Sequence, residues 1–376
     1  MIVESPYPIS LSSGYPQLPK ELYFIPDTEG LGDTKEDPRS SLLATLLMGT
    51  PFASDTKPIQ DQRLVSSASI ATYLAIKSTT QPGHKFIQLF PALDVYGDPE
   101  SYRTKELPEN LREPINIDID LESGKPRLRL DTIRSTLARD DVDSLFLMHP
   151  NNPYGEFFEK EELYALLTII AETGKTLIVD EILGVHNYPE NIQSSVLKII
   201  KDMGNKALNT LFLKETGKLL PKNHYGGKVA GLYSIGSVGI ESLDFDDKLP
   251  DKEILMRLVK TLQHPEFDSM ISKINEYVEE NKRILRSAFK GWEVIGSTYG
   301  PFLLLLSPYD IDEDAKEYLI NTLELTTKSF KGFFPNERVY GVAPEMVRIA
   351  ANRDRSIINE LAKRVTNLTN TAQMNP

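Results

Sequence analysis

Residues 144–183 read SLFLMHPNNPYGEFFEKEELYALLTIIAETGKTLIVDEIL. Two continuously apolar runs, residues 144–148 and 176–179, flank a segment in which Leu163, Leu166, Leu167 and Ile170 recur at i, i+3, i+4 and i+7. Acidic residues fill the first turn of that segment, where the helix dipole favours negative charge. Short apolar runs without alternation are the mark of strands buried on both faces. Strand, amphipathic helix and strand in this order predict a crossover helix between two parallel strands.

The same pattern continues on either side. Residues 85–90 (KFIQLF) and 210–213 (TLFL) are apolar runs of the same kind. The expected fold class is therefore α/β, a three-layer sandwich with a mostly parallel central sheet, plus a smaller α+β domain. Around residues 240–252 the chain becomes charged and aperiodic (ESLDFDDKLPDKE), which reads as the exit from the sheet domain. Beyond it the pattern predicts a helix over 266–289, a strand at 301–306, a helix near 313–325, a strand at 346–350 and a last helix over about 354–367. The first 60 residues are proline-rich and polar, and are expected to form an arm or surface loop. The expected division is residues 1–45 as arm and part of the small domain, 46–245 as the large domain and 246–376 as the small domain.

Composition narrows the function. The 376 residues carry 42 Lys and Arg against 54 Asp and Glu, a formal net charge of -12. An acidic chain without a basic run argues against a phosphate-gripping nucleic-acid surface and against an anionic membrane. With 40% hydrophobic residues there is enough to bury a large core. The absence of cysteine excludes disulfides, thiolate nucleophiles, iron–sulfur clusters and cysteine-ligated zinc. Five histidines stand apart without metal-ligand spacing, so no metal is expected. Gly174-Lys175-Thr176 imitates a phosphate loop, but Ile169 stands where its first glycine belongs. No basic and apolar leader opens the chain, so a cytoplasmic protein with small-molecule partners is expected.

Polar residues cluster just after the carboxyl ends of the expected parallel strands, where open α/β sheets bind ligands. Asn152 lies in the turn HPNNPYG (149–155), Asp180 follows the run TLIV, and Lys214 and Lys218 follow TLFL. Arg348 lies in the late strand MVRIA. In this order and spacing the chain resembles the class I/II aminotransferases of the fold-type I pyridoxal-phosphate enzymes. HPNNPYG is similar to that family's asparagine-proline-x-glycine turn, IVDEIL to its strand-borne aspartate, ETGKLLP with GGKVAGL to its lysine segment, and EMVRIAA to its arginine motif. The resemblance spans about residues 60 to 355, and its specificity lies in the ordered set.

The resemblance implies a role for each residue and a cofactor, pyridoxal 5'-phosphate. Asp180 would keep the cofactor's pyridine nitrogen protonated, and Asn152 would bond its phenolic oxygen. Lys214 and Lys218 compete for the Schiff base and the proton transfer at the substrate's Cα. The run TGKLLP resembles a TGK-x-x-P variant seen in specialised metabolism, including oxygen-using arginine oxidases, and favours Lys218. In that variant a second lysine contacts the cofactor phosphate, and Lys228 matches it. Ser67, Ala68 and Ser69, opening a helix, would supply the other phosphate contacts. Arg348 would hold the substrate's α-carboxylate as a bidentate pair. A homodimer is implied, with the N-terminal arm, Gly14 included, near the substrate.

Some positions depart from the family. Leu93 stands where an aromatic residue stacks on the cofactor ring, and Leu183 where a tyrosine supports the phenolic oxygen. The expected activity is transamination of a free amino acid in a specialised pathway. An oxidase, hydroxylase or eliminating enzyme on the same cofactor is the alternative, and a catalytically silent binding protein is the second.

Overall fold

A computed structural model of the protein describes residues 9–10, 16–26, 37–46, 59–92, 112–120, 125–183, 195–204, 208–242, 247–296, 298–307, 319, 323, 325–329 and 346–374. The N-terminal part carries β1 (Ile9–Ser10), α1 (Pro38–Leu46), β2 (Ile59–Val65), α2 (Ala68–Thr79), β3 (Lys85–Phe90), β4 (Arg112–Asn116), β5 (Asp118–Asp120) and β6 (Lys125–Arg127). The middle carries α3 (Leu130–Leu137), β7 (Val142–Met148), α4 (Lys160–Thr173), β8 (Thr176–Asp180), α5 (Val196–Asp202), β9 (Thr210–Glu215), α6 (Lys222–Tyr225) and β10 (Ala230–Ile235). The rest is α7 (Lys252–Leu262), α8 (Phe267–Ala288), β11 (Glu293–Val294), β12 (Phe302–Leu306), β13 (Leu325–Thr326), β14 (Lys328–Ser329), β15 (Met346–Ala350) and α9 (Arg355–Met374).

The central sheet has seven strands in the order β2-β10-β9-β8-β7-β3-β4. Neighbours from β9 through β4 are parallel, whereas β10 runs against both β9 and β2. Every residue of β9 and β10 is buried, in keeping with strands covered on both faces. A second sheet is antiparallel, in the order β11-β12-β15-β14, and α8 packs along α9 beside it. This is the mixed α/β architecture expected from the sequence.

Local chemistry explains where elements begin and end. Helix α4 opens on a capping box between Glu159 and Glu162, buries Leu163, Leu166, Leu167 and Ile170, and stops at Gly174, whose φ of 66° suits glycine. The expected helix over 266–289 is α8, and the expected strands at 301–306 and 346–350 are β12 and β15. Two expectations are corrected. Residues 252–262, read as following an aperiodic exit, form the amphipathic α7 with Leu255, Met256, Leu258 and Val259 buried. The arm region contains α1, which packs against α7. The helix expected near 313–325 lies mostly outside the described residues. No helix among the described residues is long and apolar enough to cross a membrane.

Candidate active site

Because β7, β8 and β9 are parallel, their carboxyl ends reach the same edge of the sheet. Register places Met148 opposite Asp180, and Asp180 opposite Leu213. On the far side of β9, Ala230 faces Glu215 in one neighbour and Val65 in the other. The start of α2, just after Val65, therefore meets the end of β9 and Lys228, just before Ala230.

Lys218 sits in a turn tied down by Thr216. The Thr216 N–H donates to Val229 O at 2.9 Å, its hydroxyl oxygen accepts from Val229 N at 3.0 Å, and its carbonyl accepts from Leu219 and Leu220 N–H groups at 3.1 and 2.7 Å. The Lys218 side chain is half-buried. Burial pushes its amine below the ordinary lysine value, helped by Lys228 and Arg348 and opposed by Glu215 and Asp180. A lysine so placed has more of the neutral, nucleophilic form near neutrality.

Asp180 closes β8. Burial pushes its carboxyl up to about 7, against a 2.9 Å hydrogen bond from Ile182 N–H and the nearby Lys218 charge. The second candidate amine is committed elsewhere: Lys214 Nζ donates to Glu181 Oε2 at 2.5 Å. Glu181 is itself buried, and its other oxygen accepts from Ser195 Oγ at 2.9 Å and Val196 N–H at 3.0 Å. Burial alone would raise Glu181, but Lys214, His149 and Ser195 together hold it below the ordinary glutamate value.

Asn152 is presented by a turn closed at both ends. Asn151 N–H donates to Glu156 O and Gly155 N–H to Asn151 O, each at 2.8 Å, and Gly155 has a φ of 62°. That turn is fastened to the segment before β12, because Tyr299 N–H donates to Gly155 O and Thr298 N–H to Glu156 Oε1, both at 2.7 Å. Arg348 Nη1 then donates to Asn152 Oδ1 at 2.8 Å. The bond takes the amide's oxygen, so its NH2 end turns elsewhere. The Arg348 guanidinium stacks on Phe302, 3.9 Å from the ring centroid. Burial, with Arg353 as a second positive charge, pushes Arg348 down to about 9, which leaves it charged at neutral pH.

Ser67 caps α2, its side chain accepting from Ile70 N–H at 3.4 Å, and Ser69 is half-buried in the first turn. Ala68 N–H donates to Glu215 Oε1 at 3.2 Å, and Lys228 Nζ donates to the same oxygen at 3.3 Å. Ala68 and Lys228 thus meet at one carboxylate oxygen of the protein itself, where the resemblance implies a phosphate. Glu215 and Glu181 were not singled out as partners in the sequence. Their only signal there is a charged residue at the end of an otherwise apolar run. Leu183 packs with Phe302 and Ala350, so it is a link between β8 and the second sheet. Leu93 and Gly14 lie outside the described residues.

No protein-family model matches the chain. A histidinol-phosphate aminotransferase of Desulfitobacterium hafniense (strain DSM 10664 / DCB-2) is 43% identical over 58 residues, 15% of each chain. An LL-diaminopimelate aminotransferase of Prochlorococcus marinus (strain NATL2A) is 21% identical over 255 residues, 62% of this chain and 58% of that one. The chain thus spans less than two thirds of the length of these curated relatives. Among solved structures, MppP soaked with the product 2-ketoarginine aligns with a TM-score of 0.72 at 16% identity, covering 96% of this chain and 99% of that one. Cystalysin from Treponema denticola, which contains a pyridoxal 5'-phosphate cofactor, aligns with a TM-score of 0.73 at 14% identity, covering 98% and 92%. The chain has the fold of the fold-type I, pyridoxal-phosphate-dependent aminotransferases.

Proposed function

We propose that this protein is a pyridoxal-phosphate-dependent aminotransferase acting on a free amino acid. One observation carries the reading: a half-buried lysine of lowered basicity, an aspartate at a strand end and an arginine bonded to an asparagine gather at one edge of a parallel sheet. The donor set also suits the cofactor's anionic end, since a helix N-terminus and Lys228 already share a carboxylate oxygen.

In this reading Lys218 would carry the cofactor, Asp180 would pair with its ring nitrogen, Asn152 Nδ2 would donate to its phenolic oxygen, and Ser67, Ala68, Ser69 and Lys228 would hold its phosphate. When bound, pyridoxal phosphate supplies an electron sink for charge left at the substrate's Cα. Arg348 binds the α-carboxylate with two parallel N–H donors and so aims the Cα–H bond. Once the amino acid's own amine has displaced it, Lys218 Nζ would be the group placed to take the proton from Cα, and its lowered pKa leaves more of that amine neutral and able to accept it. A protonated ring nitrogen beside Asp180 would favour its charged form.

Residues 46–245 are proposed as the cofactor-binding lobe and 246–376 as the smaller lobe, with residues 1–45 as an arm. A cytoplasmic homodimer in a specialised biosynthetic pathway completes the proposal. Incubating the protein with pyridoxal phosphate, an amino acid and a keto acid tests it. Amino-group transfer without oxygen consumption supports transamination, whereas oxygen consumption without a keto acid supports the oxidase alternative. One observation favours the catalytically silent reading: Glu215 already fills the anion position.

A further inference from the structure

The end of β9 buries a carboxylate that the proposed chemistry does not use. Glu215 has no exposed surface. Its Oε1 takes the Ala68 N–H at 3.2 Å and Lys228 Nζ at 3.3 Å, while its Oε2 has no hydrogen-bond partner among the described residues. A carboxylate in a buried setting normally uses both oxygens, and one left bare is costly. What offsets the cost here is location. Helix α2 presents its positive end to Glu215, and Lys228 adds a full charge. These same groups are the donors that an entering phosphate needs.

We propose that Glu215 is a built-in stand-in for a phosphate monoester, occupying the cup of Ala68 N–H and Lys228 until the phosphate displaces it. The proposal rests on the cofactor reading above and names the residue that sets the affinity of its phosphate end. Carboxylate and phosphate cannot both sit on these donors, because like charges in a buried site repel strongly. Glu215 has somewhere to go: it also lines a cavity of about 320 Å³ with Thr45, Thr216, Gln263 and His264. On this view cofactor entry exchanges one anion for another, and the chain gives up phosphate affinity to keep the cup filled beforehand.

The test is equilibrium dialysis of cofactor-stripped full-length protein against pyridoxal phosphate and, separately, pyridoxal. Glu215→Ser removes the competing charge, and Glu215→Gln removes it while keeping the shape if the serine variant folds poorly. Both variants are expected to bind pyridoxal phosphate at least about tenfold more tightly than wild type, with pyridoxal affinity unchanged. Inorganic phosphate should raise the melting temperature of the variants and leave that of wild type in place, which separates a free phosphate from the cofactor as occupant. Equal affinity of all three proteins for pyridoxal phosphate would overturn the proposal and leave the cofactor reading standing. An equal gain for pyridoxal would overturn it too, since the effect would not run through the phosphate. Failure of every form to bind pyridoxal phosphate would overturn both.

Discussion

Lys214 Nζ lies 2.5 Å from Glu181 Oε2, with both side chains almost wholly buried. The pair braces the end of β9 against the start of the segment after β8, and it reserves Lys218 for the open edge of the sheet. Removing one partner strands the other charge. Lys214→Met should therefore cost about 3–5 kcal/mol in urea denaturation, and Lys214→Met with Glu181→Gln should recover part of it. Cofactor attachment should survive in both.

Asp180 gives the cofactor-free protein a distinct pH dependence. Its folded value, about 7, lies above its ordinary 3.8. A carboxyl raised in this way binds its proton more tightly folded than unfolded, so its favourable contribution is complete below about 3.8 and is lost as pH rises through about 7. Across that window wild type should lose on the order of 4 kcal/mol relative to Asp180→Asn, read from denaturation midpoints at each pH. Parallel pH profiles for the two proteins would contradict this environment for Asp180.

Much of this arrangement was legible in the chain, and the rest was hidden for physical reasons. The β7–α4–β8 unit announces itself because buried parallel strands leave unbroken apolar runs and α4 keeps a strict apolar face. Strand β2 does not, since IQDQRLV alternates with exposure at the edge of the sheet. Helix α7 was masked by the acidic, proline-bearing stretch in front of it, although Leu255, Leu258 and Val259 carry its period. Motif order singles out Lys218, Asp180, Asn152 and Arg348 as candidates, and the fold brings them to one edge of the sheet. It does not single out Glu215, because only the shared row of Val65, Ala230 and Glu215 brings it to the start of α2.

Arg348 should act chiefly on the substrate, although it also holds Asn152 and faces Lys218. Arg348→Lys keeps a charge but loses the planar fork, so kcat/KM for the amino acid should fall about 100-fold or more, mostly through KM. The visible cofactor band should persist, because Lys218 and Asp180 are both retained. A variant with wild-type KM would remove Arg348 from carboxylate binding.

A stabilising change is expected away from the site. Gln88 is fully buried in β3, and neither atom of its amide has a hydrogen-bond partner among the described residues. Gln88→Met should raise stability by about 1 kcal/mol or more, visible as a higher melting temperature with activity retained.

The most direct measurement is borohydride reduction of the protein mixed with pyridoxal phosphate, followed by peptide mapping of the labelled lysine. The label is expected on Lys218 and on no other lysine, and Lys218→Ala should abolish both the label and the visible absorption band. A label on Lys214, or none on the wild-type protein, would contradict the assignment of this edge of the sheet as a pyridoxal-phosphate site built around Lys218.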